Sequence, residues 1–239
     1  MAFTVLSGGR LTIKVYDANE IIPPFEIFDA VRSGNIEIGH CMAYYWLGKT
    51  PAASFLASVP GGLTAAEQNA WLKYGGGQEL WDELYGEFGL KALSAGTFAT
   101  QMGAWFKTEI NSLADLRGKK VRMSGLTGEV YNRLGATTVQ IPAAEIVPAL
   151  QSGVVDAAEW VGGWNDLAFG FHQVARFYYG PGPQEGGATL ECMMNKAAWD
   201  GLLNDLTRIV EYACQATTID MLSAYTYHDV VAMERLESD

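Results

Sequence analysis

An acidic residue at the end of an apolar run is the first candidate for chemistry in this sequence. Residues 149–166 read ALQSGVVDAAEWVGGWND, and the short, mostly apolar run at 154–158 ends at Glu159 and Trp160. A carboxylate is seldom buried without a partner. We therefore expect Glu159 to cap a helix, to pair with an arginine or to hold a cation.

An arginine in a similar position is the second candidate. Arg122 ends the predicted strand KKVRM, just before a Ser-Gly turn. A guanidinium at such a position can grip a carboxylate through two parallel hydrogen bonds. The alternative is a surface arginine that pairs with a neighbouring acid and contributes little.

An amide, a second acid and the aromatic side chains complete the set. Gln101 offers a carbonyl oxygen, a hard ligand suited to sodium or calcium. Glu185 lies in the loop GPGPQEGG, which can bring an acid to a cleft, although most loop acids are simply solvated. Trp105 and Trp160 are candidates for lining a pocket, and the alternative is that they belong to the core. Glu159 and Glu185 as a general acid and base are a further interpretation, which keeps an enzyme open.

Composition and motifs exclude several classes of protein. The 239 residues carry a net charge of −11 with a pI of about 4.7, which disfavours binding to nucleic acid or to anionic membranes. The sequence holds no long apolar run that could span a membrane, and its start, MAFTVLSGGR, does not resemble a signal peptide. Three separated cysteines predict neither a zinc site nor a disulfide framework, and the histidines lack metal-ligand spacing. No GxSxG, P-loop or GxGxxG motif occurs.

Helical and extended patterns alternate along the chain, which predicts an α/β fold with a largely parallel sheet. Capping residues, 3.6-residue periodicity and closing glycines predict helices at 23–34, 64–77, 78–89, 112–118, 128–135, 143–153 and 202–237. Alternating or continuous apolar patterns predict strands at 8–19, 35–46, 90–108, 119–125, 136–142, 154–158 and 186–198.

One helix–glycine–strand pattern occurs twice. With an offset of 119 positions, Ala30, Ser33 and Gly34 fall on Ala149, Ser152 and Gly153, and His40 falls on Glu159. The repeat predicts two similar lobes, joined through the extended stretches at 90–108 and 186–198. In our assignment lobe I is 1–97 with 191–239, and lobe II is 98–190. Ligands of open parallel sheets lie at the carboxyl ends of strands, where Glu159 and Trp160 are found.

Three motifs in this order resemble a known family. They read SLADLRGKKVR, then GEVYNRLGATTVQIPAAEIVPALQSGVVDAAEW, then RFYYGPGPQEGGATLECMMN. They look like the DctP-type solute receptors of tripartite ATP-independent periplasmic (TRAP) transporters, a family of two α/β lobes that close on a ligand in the cleft. The resemblance extends over nearly the whole chain and is strongest for the subgroup that binds 2-oxo and 2-hydroxy acids with a metal ion.

The resemblance also implies a ligand set. The family's carboxylate-binding arginine falls on Arg122. A bridging sodium or calcium ion is expected, and no organic cofactor. The implied metal ligands are Gln101, Glu159, Glu185 and the backbone carbonyl of Trp160. The implied substrate contacts are Arg122, Gln101, Trp160, Tyr44, Tyr45 and Asn165.

The implied function is a non-catalytic receptor in the periplasm that captures a monocarboxylate such as pyruvate or lactate. It would deliver the ligand to the membrane permease subunits of the transporter. Both ends of the family fold are expected to lie outside this sequence, and a homodimer is implied where the family's long C-terminal helix is present. The alternatives are an enzyme that uses Glu159 and Glu185, or the same type of receptor for a sugar acid, a polyol or an aromatic acid.

Overall fold

Helices and strands alternate along residues 2–238, the part of the chain that the computed structural model describes. Met1 and Asp239, the outer ends of the predicted lobe I, lie outside it. The strands are β1 Ile38–Met42, β2 Leu90–Phe98, β3 Ala104–Phe106, β4 Lys120–Arg122, β5 Thr137–Val139, β6 Ala157–Ala158, β7 Phe177–Tyr179 and β8 Ala188–Asn195. The α-helices are α1 Ala2–Leu6, α2 Ile27–Arg32, α3 Ser54–Ala57, α4 Ala65–Tyr74, α5 Gly77–Gly86, α6 Gly125–Arg133, α7 Ala143–Ser152, α8 Gly163–Phe169, α9 Lys196–Asp200 and α10 Asn204–Ser238. Short 3-10 segments lie at Pro24–Glu26, Ala43–Trp46, Pro51–Ala53, Leu113–Leu116 and Phe171–Gln173.

Local signals in the sequence explain where several helices begin and end. Helix α4 follows a capping box, in which the backbone N–H and hydroxyl of Thr64 donate to Glu67 at 2.9 and 2.8 Å. Gly34 and Gly153 follow α2 and α7, and both have φ of +77°, which favours glycine. The repeated helix–glycine–strand pattern is therefore present as α2 with β1 and as α7 with β6.

The first compact unit comprises Met1–Ala57, Asn69–Thr97 and Thr189–Met221. Its sheet has the order β1-β8-β2, and β1 runs antiparallel to β8. Helix α10 packs on this sheet through a buried apolar cluster with residues from β2, β8 and α10: Leu93, Ala95, Cys192, Met194, Val210 and Cys214. Burial of this cluster fastens the helix to the strands.

The second compact unit comprises Ser58–Gln68, Phe98–Ala188 and Leu222–Asp239, and its five strands have the order β5-β4-β6-β3-β7. Strand β4 runs parallel to β5 and β6, while β3 runs antiparallel to β6 and β7. The prediction of a largely parallel sheet is thus wrong for the half of this sheet that β3 forms with β6 and β7. The parallel neighbours in this sheet are β4 with β5 and β4 with β6, which are connected through the crossover helices α6 and α7, since a parallel pair needs such a crossover. The lobe boundaries predicted from the sequence stay a prediction.

The predicted strand at 8–19 is wrong. Residues 12–17 form no regular structure, and Val15 is 77% exposed. The sequence alternates apolar and polar residues as a strand does, but a strand is stable only beside a partner. None of the strands among residues 2–238 pairs with this segment.

Two further features concern the chain as described. No helix between residues 2 and 238 combines the length and the apolar character needed to cross a membrane. Cys41, Cys192 and Cys214 are all buried and none forms a disulfide. The three cysteines are thus buried small side chains of the first unit.

Candidate functional site

Arg122 ends strand β4 and is held in place by three acceptors. Its side chain is 2% exposed. Nη1 donates to the backbone oxygen of Glu159 at 2.6 Å and to the Glu159 carboxylate at 3.1 Å, and Nε donates to the oxygen of Ile141 at 3.3 Å. Nη2 finds no acceptor among the described residues. A buried guanidinium with one unpaired amino group can donate hydrogen bonds to the carboxylate of a ligand.

Glu159 follows β6 and is paired through only one of its oxygens. Its backbone N–H donates to the oxygen of Arg122 at 3.1 Å, so the two residues are joined through both backbone and side chain. The other oxygen, Oε1, is buried and has no hydrogen-bond partner within residues 2–238. Burial raises the pKa of Glu159 to about 8, although Arg122 opposes the rise. The positive charge of Arg122 therefore does not offset the cost of burying this carboxylate.

Gln101 and Glu185 lie in two loops that are joined by backbone hydrogen bonds. The N–H of Gln101 donates to the oxygen of Glu185 at 3.1 Å, and the N–H of Gly182 donates to the oxygen of Gln101 at 2.8 Å. Both side chains are buried, with exposures of 2% and 4%. Burial raises the pKa of Glu185 well above its ordinary range, and the charge of Glu159 adds to the rise while Arg122 opposes it. The two carboxylates therefore lie close enough to repel each other.

A close approach of backbones explains the two glycines after Glu185. A β-carbon added at Gly187 would lie 2.4 Å from the backbone nitrogen of Ala65, at the start of α4. One at Gly186 would lie 3.1 Å from the oxygen of Leu63. The loop can thus lie against the beginning of α4 only because these positions carry no side chain.

The side chain of Trp160 covers Arg122, and the peptide group that follows Trp160 hydrogen-bonds Asp166. The indole lies over the Arg122 guanidinium, with 4.9 Å between the guanidinium carbon and the ring centre. The backbone oxygen of Trp160 accepts no hydrogen bond from any described residue. The next peptide nitrogen, of Val161, donates to Asp166 at 3.3 Å.

Asp166 is a buried acid that the sequence analysis missed. It is 1% exposed and accepts hydrogen bonds from the Trp105 indole and the Tyr178 hydroxyl, both at 2.8 Å. Burial raises the pKa of Asp166 to about 7, and these donors oppose the rise. An acid in the first turn of α8 was the only signal in the sequence, and it is indistinguishable there from an ordinary charge at a helix start.

The unsatisfied atoms of the site are mainly oxygens. Within the described chain, no donor reaches Oε1 of Gln101, Oε1 of Glu159 or Oε2 of Glu185. Buried acceptors are normally satisfied, so this arrangement is complete only with a cation or a donor among them. Carboxylate, amide and backbone oxygens suit a hard cation such as sodium or calcium. No three acidic, histidine or cysteine side chains group as metal ligands in residues 2–238.

The remaining residues predicted to contact the substrate are Asn165, Tyr44 and Tyr45. Asn165 is half-buried on α8. Burial raises the pKa of Tyr225, and a hydrogen bond with the Asn165 side chain opposes the rise. Tyr44 and Tyr45 belong to the first unit, in the segment Ala43–Trp46, with their ring centres 5.0 Å apart. The substrate contacts assigned to these three residues stay predictions, as do the ligand roles of the others.

Comparison with known sequences connects this geometry to a family. Residues 3–238 match the model of a family described as bacterial extracellular solute-binding protein, family 7. A curated relative, the monocarboxylate 2-oxoacid-binding periplasmic protein of Nostoc sp., is 41% identical over 231 residues, which are 97% of this chain and 64% of the relative. The chain therefore spans less than two thirds of the length of this relative.

Two solved structures with the same fold hold a small carboxylate together with a cation. A TRAP periplasmic solute-binding protein from Pseudoalteromonas atlantica, with bound sodium and pyruvate, has a TM-score of 0.96 and 42% identity, covering 100% of this chain and 72% of that chain. One from Bordetella bronchiseptica, a mixed-occupancy dimer with copurified calcium and picolinate, has a TM-score of 0.97 and 36% identity, covering 99% and 70%. The α/β fold predicted from the sequence is confirmed.

Proposed function

Because this chain belongs to family 7 of the bacterial extracellular solute-binding proteins, we propose that it is a receptor for a small monocarboxylate bound together with a sodium or calcium ion. The observation that supports this most is a set of buried side-chain oxygens without donors among the described residues. They belong to Glu159 and Glu185, which both interact with the buried Arg122, and to Gln101, whose backbone hydrogen-bonds Glu185. When both buried acids are ionised, they and the one guanidinium leave the site with excess negative charge, and the raised pKa of each acid reflects that cost. A carboxylate ligand would increase that excess unless a cation entered with it.

Each residue has a distinct part in this proposal. The side-chain oxygens of Gln101, Glu159 and Glu185 and the backbone oxygen of Trp160 hold the cation. When bound, the cation supplies positive charge between the protein carboxylates and the oxygens of the ligand. Arg122 receives the ligand carboxylate on Nη2, since Nη1 is occupied by Glu159. The indole of Trp160 keeps the guanidinium in that orientation.

The ligand class follows from what the site and the related structures share. Pyruvate and picolinate are both carboxylates in which a second donor atom is bonded to the carbon that carries the carboxylate group, so each can present two donor atoms to one cation. A 2-oxo acid such as pyruvate or a 2-hydroxy acid such as lactate satisfies both the arginine and the cation. A polyol lacks the carboxylate that Arg122 is placed to bind, and a sugar acid or an aromatic acid is the remaining alternative.

A receptor is favoured over an enzyme by the family to which the chain belongs, which is described as extracellular solute-binding proteins. We infer that the protein is not an enzyme, that it acts in the periplasm and that it delivers its ligand to TRAP permease subunits driven by an ion gradient. The Bordetella bronchiseptica protein is a dimer, and we extend that to this protein only as part of the proposal.

The test is the dependence of pyruvate affinity on cations. Calorimetric titration of pyruvate should show binding in buffer with sodium or calcium, and little or none after chelation and exchange into buffer without either ion. Lactate, picolinate, a sugar acid and a polyol titrated in parallel define the ligand class. Pyruvate recovered unchanged after prolonged incubation with the protein supports a receptor. Affinity that is the same in metal-free protein would show that the cation site is wrongly assigned.

A further inference from the structure

Asp166 is a buried acid with no cation among its hydrogen-bond partners. Its three partners are neutral donors: the Trp105 indole, the Tyr178 hydroxyl and the backbone N–H of Val161. Burying a carboxylate in this way is costly, as the raised pKa shows. The arrangement calls for an explanation beyond packing, because an apolar residue of similar size would fill the space at lower cost.

The explanation lies in the peptide group between Trp160 and Val161. This peptide is trans, since the one cis bond among the described residues is at Gly180-Pro181. In a planar trans peptide the N–H and the C=O point in opposite directions. The N–H of Val161 is directed at Asp166, so the carbonyl of Trp160 must point away from Asp166.

The same short segment is fixed on its other sides. The oxygen of Val161 accepts a hydrogen bond at 3.1 Å from the N–H of Met102, the residue that follows Gln101. The N–H of Asp166 donates to the oxygen of Gly162 at 2.9 Å. The peptide plane at 160–161 therefore has little freedom to rotate, and Asp166 sets the direction of the one group in it that remains unpaired.

We propose that Asp166 is a positioning residue that aims the Trp160 carbonyl at the cation and increases the electron density on its oxygen. This inference rests on the proposed cation site. A carboxylate that accepts the N–H of a peptide polarises the whole peptide group, because hydrogen bonds in a chain strengthen one another. Carboxylates behind metal ligands act in this way on the ligands they contact.

The charge of Asp166 is needed, and its shape alone does not suffice. An asparagine has one acceptor oxygen, whereas three donors converge on this side chain. If the amide oxygen accepts from Trp105 and Tyr178, its NH₂ group must face the N–H of Val161. Asp166→Asn therefore removes the hydrogen bond that orients the Trp160 carbonyl while keeping the size of the side chain. Tyr178→Phe is the matched control, since it removes one donor to Asp166 and leaves the Val161 contact intact.

Selective labelling can observe this peptide group alone. The pair Trp-Val occurs once in the sequence, at 160–161, so protein labelled with ¹³C-carbonyl tryptophan and ¹⁵N valine gives a single cross-peak that connects the two. Titration with calcium chloride, without carboxylate, should move the Trp160 carbonyl and the Val161 amide signals with one midpoint. In Asp166→Asn calcium affinity should fall by about 10- to 100-fold, and in Tyr178→Phe it should stay within about threefold of the parent.

The outcomes separate this inference from the proposed function. If the parent binds neither calcium nor sodium by calorimetry, the cation site itself is wrong, and the inference is overturned with it. If the parent binds calcium and Asp166→Asn binds it equally well, the cation site stands and only the inference is overturned. Should Asp166→Asn fail to fold, the parent decides: calcium binding that leaves the Trp160 carbonyl signal unmoved shows that this oxygen is not a ligand, and Asp166 then has no such role.

Discussion

Glu191 in the first unit and Glu159 in the second are the same residue type at nearly the same burial, with exposures of 0% and 3%. Glu191 lies on β8 among donors. The Trp46 indole and the Cys41 thiol donate to its Oε1 at 2.8 and 3.3 Å. Burial raises the pKa of Glu191, while Trp46, Tyr85, Cys41 and Trp81 all oppose the rise.

Glu159 lies among acceptors instead. The charged groups that act on it are Glu185 and Asp166, which it repels, and one arginine that also donates to a backbone oxygen. Oε2 of Glu191 also has no hydrogen-bond partner among the described residues, but the groups that oppose the pKa rise of Glu191 are all neutral donors. A carboxylate that faces other oxygens needs a cation. The comparison teaches that burial of an acid does not by itself mark a binding site. What marks one is whether the groups around the carboxylate are hydrogen-bond donors or other acidic oxygens.

The largest effect is expected from Arg122→Ala. Loss of a buried, hydrogen-bonded charge typically costs about 2–5 kcal/mol, which lowers monocarboxylate affinity about 30- to several-thousand-fold. Arg122→Lys should be nearly as harmful, because an ammonium cannot replace the fork that binds Glu159 and the ligand together. Calorimetry with pyruvate measures the loss. Arg208→Ala, at an exposed arginine paired with Glu211, is the control and should leave affinity unchanged. Affinity of Arg122→Ala within a few-fold of the parent would contradict the assignment.

The next effect tests the two kinds of buried glutamate directly. Glu159→Gln and Glu185→Gln should each lower calcium affinity by at least the roughly 10- to 100-fold that changes behind a metal ligand cost. Pyruvate affinity should fall with it, because coupling between two ligands is reciprocal. Glu191→Gln should change neither affinity by more than about twofold, since its partners are donors of the first unit. Equal losses in all three variants would show that buried charge in general, and not the oxygen site, controls binding.

The smallest effect concerns stability and pH. Burial raises the pKa of Glu191 above its ordinary value of 4.5. Above that pH the unfolded chain has released a proton that the folded protein still holds, so the free energy of unfolding falls as pH rises. Glu191→Gln removes this titration. The free energy of unfolding of the variant relative to the parent should therefore increase with pH, by at most about 1.4 kcal/mol per pH unit.

Urea unfolding of both proteins, from about pH 4 to about pH 8 in the presence of a chelator, measures that difference. Other buried acids titrate in the same range in both proteins, so the difference between them isolates Glu191. A difference that does not change with pH would mean that Glu191 loses its proton equally easily in the folded and unfolded states.

Much of the fold could be predicted because the signals are local. The Thr64–Glu67 capping box, the glycines after α2 and α7 and the apolar periodicity of α7 act over a few residues, and the structure contains each element. The segment at 8–19 shows the limit of such signals. Its alternation is typical of a strand, but strand formation depends on a partner that no local pattern specifies.

The candidate site divides in the same way. Arg122, Glu159 and Glu185 were selected from their residue types and their places at strand ends and in a glycine-rich loop. Asp166 and Glu191 were missed, because an acid at a helix start and an acid within an apolar strand have no distinctive sequence pattern. The family resemblance supplied the grouping of the ligand residues, which spacing alone left open.

The sequence by itself determined the α/β class, most helix ends and the candidacy of Arg122, Glu159 and Glu185, since propensity, capping and periodicity act between neighbours in the chain. Only the tertiary structure decided which buried carboxylates meet donors and which meet oxygens. Arg122 and Glu159 are 37 positions apart, and Glu191 and Trp46 are 145 apart. Whether such distant groups converge depends on how the helices and strands pack, and burial of apolar surface drives that packing without regard to the polar atoms it brings together.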